Sequence, residues 1–163
     1  MPNRSKIVMQ SAALIGGSLC LAGLMFEVLV RLIVDDGMHY HLEMWKYAVR
    51  LKEISSNTAI GHEHRQNSSA HLMGVDVSIS SDGLREDAPV ALKAEALRIL
   101  MLGDSVTFGW GVPRSRTVSE RMEVALSNSM TLPIQVINAG VGNYNTAMEV
   151  AWFEARGLAL KPD

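Results

Sequence analysis

Twenty consecutive residues without a formal charge, Ile7 to Phe26, constrain this chain more than any other feature. Only Gln10, Ser11 and Ser18 interrupt their apolar character. At about 1.5 Å of rise per residue, a helix of that length spans roughly 30 Å, the thickness of a bilayer's hydrocarbon core. Apolar residues continue through Val28–Val30 and Leu32–Val34, and Glu27 and Arg31 lie one helical turn apart, so that the pair can neutralise itself at an interface. Arg4 and Lys6 precede the run, whereas Glu27, Arg31, Asp35 and Asp36 follow it. The positive-inside rule therefore predicts a cytoplasmic N-terminus with the remainder of the chain outside. A cleaved signal peptide has a shorter apolar core, about 7–15 residues, ended by a small-x-small site; this run is longer and ends in no such pattern. A lipoprotein signal is disfavoured because Leu19, a large residue, stands before Cys20. The reading is an uncleaved signal anchor within residues 1–34, with a cleaved signal or a buried helix of a soluble protein as the alternatives.

Beyond residue 34 the chain carries 12 basic and 16 acidic residues. That mild acidity argues against a nucleic acid or another polyanion as partner. The single cysteine, Cys20, excludes an internal disulfide framework and a multi-cysteine zinc site. Residues 35–96 read as a lead-in. His39 to Lys52 places Leu42, Trp45, Ala48, Val49 and Leu51 at helical spacing, which predicts an amphipathic helix. Trp45 suits either a membrane interface or packing within that helix. Ser55 to Ser69 is polar and reads as a loop, Val75–Ile79 alternates as a half-buried strand, and Ser81-Asp82-Gly83 supplies a turn.

From Leu97 the pattern changes. Ile99–Leu102 is a continuous apolar run, as expected of a strand covered on both faces. Thr117-Val118-Ser119-Glu120 is a capping box that opens a helix, and Ile134–Ile137 is a second strand ended by Asn138-Ala139-Gly140. Asn145 or Thr146 caps a further helix through Phe153 to Gly157, and Lys161-Pro162-Asp163 would lead into a third strand. This alternation argues for a parallel α/β sheet.

Functional groups in such a sheet collect beyond the carboxyl ends of the strands. Two turns lie there, Gly103-Asp104-Ser105-Val106-Thr107-Phe108-Gly109 and Asn138-Ala139-Gly140-Val141-Gly142-Asn143-Tyr144-Asn145-Thr146. A serine on a tight turn after a strand can expose its hydroxyl, and its own N–H can point at a developing oxyanion, a geometry suited to nucleophilic acyl transfer. Gly-Asp-Ser alone is equally an ordinary strand-to-helix turn, since all three residues favour turns.

Taken together, Arg98–Gly109 and Val136–Thr146 resemble the first two signature blocks of the SGNH (GDSL) hydrolases, in the right order, with Asn138 33 positions after Ser105. His71–Glu86 is similar to the lead-in of membrane-anchored bacterial members. The resemblance covers about residues 60–163 and implies a three-layer α/β/α flavodoxin-like parallel sheet, incomplete, preceded by one N-terminal transmembrane helix. It implies that residues 97–163 form the first half of a hydrolase domain and that Ser105 is the nucleophile, its N–H serving as one oxyanion donor. The family's second donor falls on Asn143, which tolerates left-handed backbone angles, with Gly142 as the substitute; Gly140 is expected to allow close packing of the turn. The activity implied is hydrolysis of an acyl ester, an acetyl ester among the candidates, on an envelope glycan or lipid. O-acyl transfer from the same serine is an alternative. The resemblance implies no metal and no organic cofactor.

Two blocks of the family are not in this sequence: G-x-N-D, which adds an Asn to the oxyanion hole, and the late D-x-x-H, which supplies the Asp and the general-base His. Asp36-Gly37-Met38-His39 spells D-x-x-H but precedes the nucleophile and adjoins the apolar run, which disfavours it as the base. The chain is accordingly expected to be inactive by itself, and a non-catalytic membrane protein working through a partner is the reading from another class. An apolar strand left with an open edge is also an aggregation hazard. His39/His41 and His62/His64 form two H-x-H pairs that read as solvated loop histidines rather than metal ligands, and Gly140-Val141-Gly142 is too short for a dinucleotide fingerprint. Trp110 suits either a substrate cleft or the core.

Overall fold

The structure, a computed structural model, describes residues 4–163, and residues 1–3 of the expected cytoplasmic tail lie outside them. The chain divides into two compact bodies, the first ending at His39 and the second running Tyr40–Asp163. The first is built on helix α1, Arg4–Ile33, whose 30 residues give a rod of about 45 Å. Within Ser5–Ile33 the most apolar 18-residue window has a mean hydropathy of 2.1 and none of it is buried against protein, so this helix is long and apolar enough to cross a membrane. Leu14, Leu19 and Phe26 are each about two-thirds exposed or more. An apolar surface on all sides is what a nonaqueous surrounding requires. The self-neutralising pair is formed as expected, with Arg31 Nη2 at 2.7 Å from Glu27 Oε1.

The second body is mixed α/β with short sheets. Its elements are α2 (Tyr40–Leu51), β1 (Lys52–Ile54), β2 (His62–His64), β3 (Ser68–Leu72), β4 (Val75–Ile79), β5 (Leu97–Gly103), α3 (Ser105–Phe108), α4 (Val118–Ser129), β6 (Ile134–Gly140) and α5 (Thr146–Ala155). Three two-stranded sheets result: β1 with β2 and β3 with β4, both antiparallel, and β5 with β6, parallel. In the parallel pair Met101 stands opposite Asn138 and Gly103 opposite Gly140, so both signature turns leave the same end of one sheet. Ile137 and Ala139 pack with Trp152 of α5, while on the alternate face Asn138 donates to Ser119 Oγ of α4 at 3.1 Å. Arg98, on the edge of β5 away from β6, exchanges hydrogen bonds with Asp163: Asp163 N donates to Arg98 O at 3.0 Å and Arg98 N to Asp163 Oδ2 at 2.8 Å. Among the described residues no third strand forms in this sheet, and Lys161–Asp163 run without regular structure.

The structure corrects four local expectations. In α2 the buried residues are Glu43, Tyr47 and Leu51, whereas Trp45 and Val49 are exposed. The inner face is anchored partly by polar groups that have partners, for Glu43 Oε1 pairs with Lys46 and Glu43 Oε2 accepts from Met73 N at 2.8 Å, so hydrophobicity marked Leu51 correctly but Trp45, Ala48 and Val49 wrongly. Ser55–Ser69 is not all loop, since it contains β2 and the start of β3. The strand reads His-Glu-His because its inward groups are hydrogen-bonded rather than apolar. The last helix ends at Ala155, and a 3-10 turn, Gly157–Leu160, follows it. The capping box is half formed: Thr117 accepts from Glu120 N at 3.5 Å, but the Glu120 carboxylate is taken by Arg114.

Candidate active site

Ser105 begins α3 directly beyond β5. Asp104 caps it by accepting Val106 N at 2.9 Å, and Gly109, at φ 84°, closes the single turn. Neither the Ser105 hydroxyl nor its N–H donates to any group among the described residues, and the side chain is half-buried. The short helix is clamped from behind by Arg85, which donates to Phe108 O and Gly109 O at 2.6 Å each and to Val112 O at 2.5 Å. Arg85 is 2% exposed, and burial pulls its pKa down while three carbonyls supply its acceptors. From the sheet side, Asn138 Nδ2 donates to Thr107 O at 2.7 Å, and its Oδ1 accepts Gly140 N at 3.0 Å. Gly140 is required here. A Cβ on it would lie 2.3 Å from Phe108 N and 2.7 Å from Thr107 C, both backbone atoms. A groove of about 380 Å³ runs beside Ser105, lined by Val106, Trp110, Val112, Arg116 and Val118 among others. Trp110 lines this groove and also packs its ring 5.4 Å from that of Tyr47.

The second turn is held by residues of the lead-in. Gly142 N donates to the Tyr47 hydroxyl at 3.0 Å; that hydroxyl lies 2.7 Å from His64 Nε2, and His64 Nδ1 lies 3.1 Å from Gly83 O. One proton arrangement satisfies every member: Tyr47 donates to Nε2, and Nδ1–H donates to Gly83 O. Both ionisable groups are kept neutral by burial, which drives the Tyr47 phenol up and His64 down to about 3. On the next peptide, Lys52 Nζ donates to Gly142 O and, at 3.0 Å, to Asn143 Oδ1, and it sits 3.2 Å from His62 Nε2. Desolvation lowers the Lys52 ammonium to about 8 and moves His62 down as well.

The sequence-derived donors are therefore distinct in the structure. Gly142 N–H is already committed to Tyr47, so the substitute donor is occupied. Asn143 has φ 68°, the left-handed conformation its residue type tolerates, and its N–H meets no acceptor among the described residues.

His62 and His64 are not solvated loop residues: they lie on β2 as neutral hydrogen-bonding groups, because the turn offers them a carbonyl and a phenol. His39 belongs to the first body and Ser105 to the second. His71 forms an exposed pair with Asp76 at 2.8 Å, but along β3 it alternates with Leu72, which packs in the Phe108 core, so the pair faces away from that core. Among the described residues no three His, Cys, Asp or Glu groups converge as metal ligands. Sequence reasoning singled out neither Tyr47, Lys52 nor Arg85. Only the Tyr47–Leu51 spacing hinted at an inner face, and nothing local marks contacts that span 90 residues or more. No known family model matches the chain, and no curated protein matches it either.

Proposed function

We propose that this chain carries the nucleophile half of an SGNH-type serine esterase that hydrolyses an acyl ester of an envelope glycan or lipid. The observation that carries the reading is a set of groups left unsatisfied among the described residues at the ends of adjacent parallel strands. These are the Ser105 hydroxyl with its own N–H, and the Asn143 N–H in a left-handed turn. In the proposed reaction Ser105 Oγ attacks the acyl carbon and the carbonyl oxygen becomes an oxyanion held by the N–H groups of Ser105 and Asn143. The alcohol leaves with a proton, and water then releases the acid and restores the serine. A His outside the described residues is assigned as the base. α4 and α5, which meet alternate faces of β6, support the three-layer flavodoxin-like reading. In the same reading α1 is a signal anchor, with Arg4 and Lys6 on the cytoplasmic side.

The test uses membranes from cells that express the locus over its whole reading frame. They are supplied with an acetyl ester and assayed for acetate release, with Ser105→Ala as control. The expected result is release that the variant abolishes, and equal release from wild type and variant would sink the reading. Excess acceptor sugar separates transfer from hydrolysis, because a transferase forms acylated sugar instead of free acid. A folded product without either activity favours a non-catalytic, partner-dependent role, for which the observation is that no histidine hydrogen-bonds Ser105 among the described residues.

A further inference from the structure

The Gly142–Asn143 peptide is held from one end only. Its carbonyl accepts from Lys52 Nζ and lies 3.1 Å from His62 Nε2, whereas its N–H, the Asn143 amide, has no acceptor among the described residues. A trans peptide points its C=O and N–H in opposite directions, so whatever grips the carbonyl also aims the amide. The preceding peptide is held separately through Gly142 N–H on Tyr47. The peptide between Gly142 and Asn143 could otherwise rotate, exchanging N–H for C=O at the face it presents, because glycine on one side and left-handed Asn143 on the other put little steric cost in the way. Lys52 removes that freedom twice over, since it also binds Asn143 Oδ1 at 3.0 Å.

We propose that Lys52, backed by His62, is a positioning residue that locks the Gly142–Asn143 peptide with its N–H presented as the second oxyanion donor. Lys52 is itself nine-tenths buried, and the Tyr47 ring lies 4.5 Å beneath its ammonium, so the grip is enclosed rather than a loose surface contact. This assignment rests on the esterase reading of Ser105 for its purpose, but the lock is a property of the turn and is measurable without catalysis.

Two readouts on the full chain in detergent micelles separate the two ideas. The first is the backbone amide resonance of Asn143 by NMR in wild type, Lys52→Met and Lys52→Gln. The lock predicts one sharp resonance in wild type and a broadened or doubled one in Lys52→Met. Lys52→Gln, which keeps one donor, should lie between them, and the Gly142 amide, still on Tyr47, should not move and so reports that the turn remains folded. An Asn143 resonance that is the same in all three proteins overturns the lock. The second readout is the rate at which a fluorophosphonate acylates Ser105 in the protein expressed over its whole reading frame. Lys52→Met should lower the maximal inactivation rate about tenfold or more, in line with losing one oxyanion donor, and leave the half-saturating probe concentration within about twofold. Labelling unchanged in Lys52→Met denies the positioning role. Absence of labelling in wild type removes the esterase reading, and the NMR measurement then still decides whether Lys52 holds the peptide.

Discussion

The turn that carries Ser105 and the turn that carries Asn143 leave neighbouring parallel strands at the same end, but they are supported differently. The first has local caps as well as distant clamps: Asp104 caps the helix that follows and Gly109 closes it, Arg85 and Asn138 hold its carbonyls, and the serine's hydroxyl and amide are unpaired among the described residues. The second has almost no local support. Its Gly142 amide is held by a tyrosine 95 residues earlier, and the carbonyl of the same residue by a lysine 90 residues earlier. Attack needs a group free to move and to give up a proton, whereas stabilising an oxyanion needs a dipole that does not reorganise. A half-buried serine with an unpaired hydroxyl, together with an amide whose peptide is gripped from distant elements, is the division of labour that the proposed chemistry would use.

Substitutions separate the two kinds of support, in descending order of effect. Gly140→Ala disturbs both turns, because the new methyl would press on the Phe108 and Thr107 backbone from the strand that leads into the second turn. A loss of about 3 kcal/mol or more by urea titration is expected, and a loss under about 1 kcal/mol would mean that the turns pack less closely than described. Tyr47→Phe leaves Gly142 N–H and His64 Nε2 without their partner in a buried site, so about 2–3 kcal/mol should be lost. The amide resonances of the second turn should shift while those of Val106–Gly109 stay, and a shift of both would break the comparison. His64 gives the chain a pH dependence. Its folded pKa of about 3 lies below the usual value of 6.5, so the contribution of the neutral ring is complete above about pH 6.5 and is lost as pH falls toward 3. Stability should therefore fall by about 1 kcal/mol per pH unit across that window from this group, and His64→Gln should flatten the slope in a pH series of denaturation curves. Asn145→Ala removes only the cap on Met148 N and should cost about 1 kcal/mol, with Ser105 reactivity unchanged.

The same contrast explains what could be read along the sequence. Elements set by local rules were legible: the apolar run of α1, the alternation of β4 to the residue, the Asn145 cap and the two parallel strands with their turns. β6 runs on through Asn138-Ala139-Gly140, which looked like its end, because Asn138 caps its own strand by accepting Gly140 N and the strand stays in register with β5 to Gly103. The buried face of α2 was illegible because Glu43 and Tyr47 are polar and become core residues only through partners on distant elements. His62 and His64 were misread for the same reason: a histidine in a polar segment signals solvent until the carbonyl and phenol that satisfy it are in view. Of the residues in the candidate site, Ser105 and Asn143 stand in motifs visible in the sequence, whereas Lys52, Tyr47 and Arg85 act through contacts with backbone groups, for which the sequence carries no pattern.

The most direct test of the Ser105 assignment is covalent. The protein expressed over its whole reading frame is treated in membranes with a fluorophosphonate, and the adduct is located by peptide mass spectrometry. The account predicts a single adduct on Ser105 that disappears in Ser105→Ala and on prior denaturation. Folded protein that takes no adduct, or takes one elsewhere with Ser105 unmodified, would contradict it.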